Sequence, residues 1–194
     1  GVIPAGDVYG VGSPTGITFY ENGALPKKYI GTLLSAEPAQ NVIFGYNPEV
    51  LGAGYELADN RFDFVTTKTE KVFDGVDGKR TLGMGDLKTL FRPSDVLVGP
   101  DGAIYVSDWF DARVGGHTAL DKKHTGNIYR IAPKKFESKI PTVDYTSIKG
   151  LINALKSPAT NVRGTAAMKL AEMGPKAFSA VKELLKHENP YIKA

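Results

Sequence analysis

The sequence predicts a two-module chain, all-β through residues 1–140 and all-α over 141–194, and three observations carry that reading. As far as Ile131, short apolar and aromatic runs alternate with Gly, Pro, Asn and Asp, the pattern of strands joined by tight turns. Beyond Pro141 the apolar period lengthens from two to about 3.6, which is helical. Charge changes at the same place. From Thr146 onward eight Lys or Arg face three Glu, whereas the preceding residues carry 16 basic and 18 acidic side chains.

The first strand is expected at Gly16 to Tyr20, after the turn signal Gly12-Ser13-Pro14. Tyr29 to Leu34, Asn41 to Tyr46 and Gly54 to Phe64 follow as β-branched and aromatic runs, giving a four-strand meander. The pattern restarts at Ser94 to Val98, turns through Gly99-Pro100-Asp101-Gly102, and continues at Ala103 to Ser107 and Asn127 to Ile131. Consecutive four-stranded antiparallel units are how propeller blades look in sequence, because the faces of each small sheet are covered only by its neighbours. Two blades cannot close a ring, so the expectation is a partial propeller belonging to a longer protein.

In the second module Ile148, Leu151, Ile152 and Leu155 mark one face of a first helix. Asn161 is the expected N-cap of a second helix with Val162, Ala166, Leu170 and Met173 inward, ending at Gly174-Pro175. A third helix is expected to bury Phe178, Val181, Leu184 and Leu185, and Asn189-Pro190 opens a fourth. Leu155-Lys156 recurs as Leu185-Lys186, and Arg163 is matched by Lys193, each 30 residues apart. With Asn161-Val162-Arg163, Ala166-Ala167, Leu170 and Gly174, this stretch resembles HEAT repeats. The resemblance implies a solenoid whose surface docks a protein partner, and a structural role for Arg163 in tying neighbouring repeats together.

Composition narrows the function classes. A net charge of +3 is too small an excess to argue for nucleic acid or an anionic membrane as partner. No apolar run approaches the roughly 18 residues of a membrane span. The absence of cysteine excludes disulfides, thiolate zinc sites and a Cys-x-x-Cys-His haem attachment within this sequence. Asp74-Gly75-Val76-Asp77-Gly78 is too short for a calcium loop and lacks its closing carboxylate, so no metal site is expected. Thr66 to Thr89 reads as a solvated loop between blades, while His124 and His187 stand alone and predict nothing.

Alternate connections of a meander fall at the same end, so the region near Arg92 and the loop from Trp109 to Gly126 should share one face. Arg92, Asp95, Asp108, Asp111, Arg113 and His117 are therefore the candidate ligand-binding residues. Arginine can clamp a carboxylate or phosphate, and histidine can move a proton. Strand-end aspartates more often cap turns, and an arginine beside them more often pairs with them. Gly115-Gly116 brings the His117 imidazole to an open edge, which leaves binding and turn formation evenly matched.

Segments Pro14 to Tyr20, Gly99 to Val106 and Gly126 to Ile131 resemble late blades of the glucose/sorbosone dehydrogenase propellers. Phe91-Arg92-Pro93-Ser94-Asp95-Val96, Asp108-Trp109-Phe110-Asp111 and Val114-Gly115-Gly116-His117 are similar to a secreted bacterial, membrane-bound dehydrogenase-like branch whose propeller precedes HEAT repeats. The resemblance implies a six-bladed ring, an extracytoplasmic location, a sugar or polyol ligand, and a parent protein linked to a c-type haem or a quinone. In pyrroloquinoline-quinone members an Arg-x-Arg-Asp-Val strand contacts the quinone; here Arg92 is kept, Ser94 replaces the second arginine, and Ala39 stands at a cofactor-contacting lysine. The family's catalytic histidine belongs to an early blade that this sequence does not match. The catalytic residues are thus unknown, no cofactor is expected on this chain, and the chain alone is expected to be inactive. Two readings remain open: part of a redox-linked dehydrogenase-like protein, or a non-catalytic scaffold that binds a glycan or a protein.

Overall fold

The structure, a computed structural model, describes residues 6–9, 12, 14–57, 60–67, 91–109 and 126–193. Among these, nine strands form three sheets and four α-helices follow them. The first sheet has the order β1-β2-β3-β6, built from β1 (Ile17–Tyr20), β2 (Thr32–Glu37), β3 (Val42–Tyr46) and β6 (Arg61–Thr66), all antiparallel. All five residues of β3 are buried, as expected of a central strand covered on both faces. Phe44 and Tyr46 pack with Val42, Tyr9, Leu33 and Leu57 on one of those faces.

The expected strand from Gly54 to Phe64 is divided in two. Its first part pairs as a separate hairpin, β4 (Glu49–Leu51) with β5 (Gly54–Glu56), and only the second part joins the sheet as β6. Gly52 takes φ +59° whereas Ala53 stays out of the positive region, the pattern of a type II′ turn with glycine first. Tyr29 likewise belongs to a 3₁₀ turn, Lys27–Tyr29, so the second strand starts later than its apolar run.

The second sheet of the sequence reading appears as β7 (Pro93–Val98), β8 (Ile104–Asp108) and β9 (Asn127–Ile131) in that order. Pro93 sits at the first position of its strand, where a missing N–H does least harm. Val96, Val98, Ile104 and Val106 are buried, while Ile128 on the edge strand β9 is exposed. The approach to β1 runs beside β7. Thr15 Oγ1 donates to Pro93 O at 3.1 Å, and a Cβ on Gly16 would lie 2.6 Å from Asp95 Cα, so only glycine fits there.

The helices are α1 (Ile148–Ala154), α2 (Thr160–Met173), α3 (Pro175–Leu184) and α4 (Pro190–Lys193). Ser147 caps α1 by accepting from the Gly150 N–H at 3.0 Å, and Asp144 gathers Thr146 and Ser147 ahead of it. Leu151, Ala154, Ala159, Val162, Ala166, Leu170 and Ala177 form the helical core. Two details differ from expectation. Helix α2 begins at Thr160 with Ala159 as N-cap, and Asn161 instead bonds the N–H of Val162 within the first turn. Ala177 and Leu184 are the buried residues of α3, whereas Phe178, Val181 and Leu185 are exposed, Phe178 at 70%.

The chain forms two compact units, Gly1–Tyr20 with Gly31–Leu97 and Tyr105–Ile131, and Glu21–Ile30 with Val98–Ile104 and Ala132–Ala194. The architecture is thus a mixed one in which the unit holding the helices also takes two segments from the strand-rich part, rather than a clean succession of all-β and all-α halves. The described strands close neither a barrel nor a ring.

Candidate functional site

Three of the six candidate residues lie among the described ones, at the start of β7 and the end of β8. Asp111, Arg113 and His117 lie outside the described residues.

Arg92 is buried to 1% exposure, the largest side chain among the described residues with so little contact with solvent. A guanidinium so placed must have its donors met. Its Nη1 donates to Pro38 O at 2.6 Å and to Asn41 Oδ1 at 3.1 Å, with Ala39 O at the limit of 3.5 Å. These acceptors converge because residues 38–40 form a 3₁₀ turn closed by Asn41 at φ +54°, a left-handed conformation that asparagine tolerates. Glu37 holds the other end of that turn. It is fully buried, its Oε1 accepts from the Ala39 N–H at 2.9 Å, and its Oε2 accepts from the Tyr9 hydroxyl at 2.8 Å.

Asp108 holds the backbone of the same residue, just ahead of β7. Its Oδ1 accepts the Arg92 backbone N–H at 3.0 Å, and the Trp109 N–H donates back to Arg92 O at 3.0 Å. Tyr129 on β9 is held above its ordinary pKa, by burial first and then by the charge of Asp108 and a hydrogen bond to it. Asp108 therefore joins β7, β8 and β9. Asp95 differs from both: it is exposed, and its Oδ1 accepts the Val96 N–H at 2.8 Å.

The sequence reading did not single out Glu37 or Asn41. The available signal was Glu37-Pro38-Ala39-Gln40-Asn41, a charged and turn-forming stretch between two apolar strands. A second polar group was also missed. Asp7 Oδ2 pairs with Arg61 Nη1 at 2.6 Å and accepts from Tyr46 Oη at 3.1 Å, while Arg61 lies over the rings of Tyr9 and Phe44. Burial and the Asp7 carboxylate push the Tyr46 hydroxyl up to about 12.

In the helical unit Arg163 donates through Nη1 to Ser157 O at 2.8 Å and Pro158 O at 3.0 Å, and its Nη2 pairs with Glu21. Arg163 thus braces the turn between α1 and α2.

The described fold is an assembly of small antiparallel sheets and paired helices, and its buried polar groups tie turns and strands together. The chain belongs to the family described as a domain of unknown function, DUF7133, whose model matches residues 5–135. No curated protein and no solved structure matches it.

Proposed function

We propose that this chain contributes two neighbouring blades of a β-propeller like those of the glucose/sorbosone dehydrogenases, and serves as an extracytoplasmic polyol-binding scaffold without redox chemistry of its own. The observation that carries this reading is the burial of Arg92. The arginine that the resemblance would assign to a quinone is committed to the Pro38 carbonyl and the Asn41 side-chain oxygen. Of the other two matched positions, Ser94 pairs with Ser107 at 2.9 Å, and Ala39 is buried and apolar. These residues do not fit a quinone.

The blade reading is supported by the approach of residues 15 and 16 to β7, which resembles the meeting of inner strands from adjacent blades. Exposed Asp95 on that inner strand is the carboxylate best placed to accept hydroxyl hydrogen bonds from a polyol. The helices, similar to HEAT repeats, would extend the scaffold as a protein-docking module.

Calorimetric titration of the chain with glucose and sorbitol tests the proposal. Saturable binding is expected, weakened roughly tenfold by Asp95→Asn at unchanged melting temperature, since one charge-assisted hydrogen bond is lost. No reduction of an artificial electron acceptor is expected with sugar and added quinone. Acceptor reduction that depends on sugar would overturn the scaffold reading in favour of a redox-linked one, and undiminished affinity in Asp95→Asn would remove the site.

A further inference from the structure

We infer that the helical unit carries a second site, for a small organic anion, in the cleft of about 480 Å³ lined by Lys27, Ile30, Lys156, His187, Pro190 and Ile192. The volume falls in the range of small-molecule sites, and its walls are held by bonds already made. Asn22 lines it with Nδ2 on Lys156 O at 3.1 Å and Oδ1 on the Gly23 N–H. Asn189 lines it with Nδ2 on Glu21 O at 3.0 Å and Oδ1 on the Tyr191 N–H. Both amides brace the cleft and are not needed for a ligand.

The polar groups left over are Lys27, Lys156, His187 and Glu188. The side chains of Lys27 and Lys156 make no ion pair or hydrogen bond among the described residues, so the lining holds two unpaired ammonium groups. Among the described residues of the lining Glu188 is the one acidic side chain against two lysines, which leaves a net positive rim. The His187 Nδ1 accepts the Asn189 N–H at 3.1 Å, so the ring proton sits on Nε2, which is thereby a donor.

The repeat within the chain shows that His187 does more than cap. The turn after α1 and the turn after α3 have the same form: Leu155 and Leu185 end their helices in nearly identical conformations, and Ser157 and His187 each bond back to the helix. In the first turn Ser157 Oγ accepts the Ala159 N–H at 3.2 Å, the bond that His187 Nδ1 makes 30 residues later. A serine is sufficient for that bond. What the imidazole adds is the Nε2 donor and a flat ring facing the cleft. With Ile30, Pro190 and Ile192 as an apolar wall, the complementary ligand is a phosphate or carboxylate on a compact apolar body.

The chain has three histidines, so the imidazole proton resonances can be followed one by one and assigned with His187→Ser, which keeps the cap of the first turn. Titration with phenyl phosphate, benzoate and, as the uncharged control, phenol should give a saturable shift of the His187 signal with the two anions only, at low millimolar affinity. Lys27→Glu with Lys156→Glu should weaken anion binding roughly a hundredfold, since two charge-assisted contacts are reversed. His187→Ser, monitored by calorimetry, should weaken it roughly tenfold at unchanged melting temperature. No saturable shift up to about 10 mM anion, the same affinity after charge reversal in a chain that still folds by circular dichroism, or phenol binding as well as phenyl phosphate would overturn the inference.

Discussion

Replacing Arg92 with Met should destabilise the strand-rich unit by about 3–5 kcal/mol, because the donor disappears while its acceptors stay buried. Of the three contacts of Nη1, those to Pro38 O at 2.6 Å and Asn41 Oδ1 at 3.1 Å have good length, and the third at 3.5 Å adds little. Each orphaned buried acceptor costs about 1–3 kcal/mol, and two of them set the scale, since Met refills much of the vacated length. A domain is stable by about 5–15 kcal/mol in total, so a loss of this size would be plain in any unfolding curve. The assay is urea unfolding followed by the single tryptophan, Trp109, whose backbone N–H bonds Arg92 O, with far-ultraviolet dichroism reporting the helices separately. Arg92→Lys should recover only part of the loss, because an ammonium lacks the planar fork. A shift below about 1 kcal/mol together with lost polyol binding would refute the reasoning, since it would make Arg92 a ligand clamp and not an interior brace.

Leu151 is fully buried in the helical core, so Leu151→Ala should cost about 3 kcal/mol in thermal or urea unfolding, whereas Phe178→Ala, at an exposed position, should change stability by less than about 0.5 kcal/mol. The raised Tyr46 hydroxyl contributes stability that is whole below its ordinary value of 10.0 and is lost as pH rises to about 12; Tyr46→Phe should flatten the alkaline end of a pH–stability profile, and an unchanged profile would contradict that. Bonds from Ser147 and Thr146 hold the Asp144 carboxyl well below its ordinary value, so its stabilising share is present above 3.8 and lost as pH falls further; Asp144→Asn should lower helical stability at neutral pH and weaken its acid dependence.

Most strands were legible because β-branched and aromatic runs bounded by turn residues permit little else, as at Val42–Tyr46 and Ile104–Asp108. The run from Gly54 to Phe64 was misread as one strand because Gly52-Ala53 favours a local hairpin, and a hairpin with a two-residue turn competes well with a longer strand. Periodicity found the apolar stripe of α3 but could not tell what covers it. Hence Phe178 and Leu185 were expected inside although Ala177 and Leu184 occupy the core. The role of Arg92 was invisible for another reason: its acceptors lie 51 to 54 residues earlier in sequence, and no local pattern records such a bond.

The two inter-helix turns sharpen the point about what a repeat preserves. Their sequences agree at Leu155-Lys156 and Leu185-Lys186 and then diverge, with Ser157 against His187 and Asn161 against Tyr191. Their geometry stays the same because the requirement is physical: the backbone N–H two residues after the turn residue needs an acceptor, and a hydroxyl oxygen or an unprotonated imidazole nitrogen meets it equally well. Where two chemically different side chains satisfy one structural requirement, the surplus chemistry of the larger one is free for other use. At residue 187 that surplus is a ring nitrogen with its proton directed away from the cap, in a lining shared with two lysines whose side chains have no partners among the described residues, and it is there that the helical unit differs from a purely structural repeat.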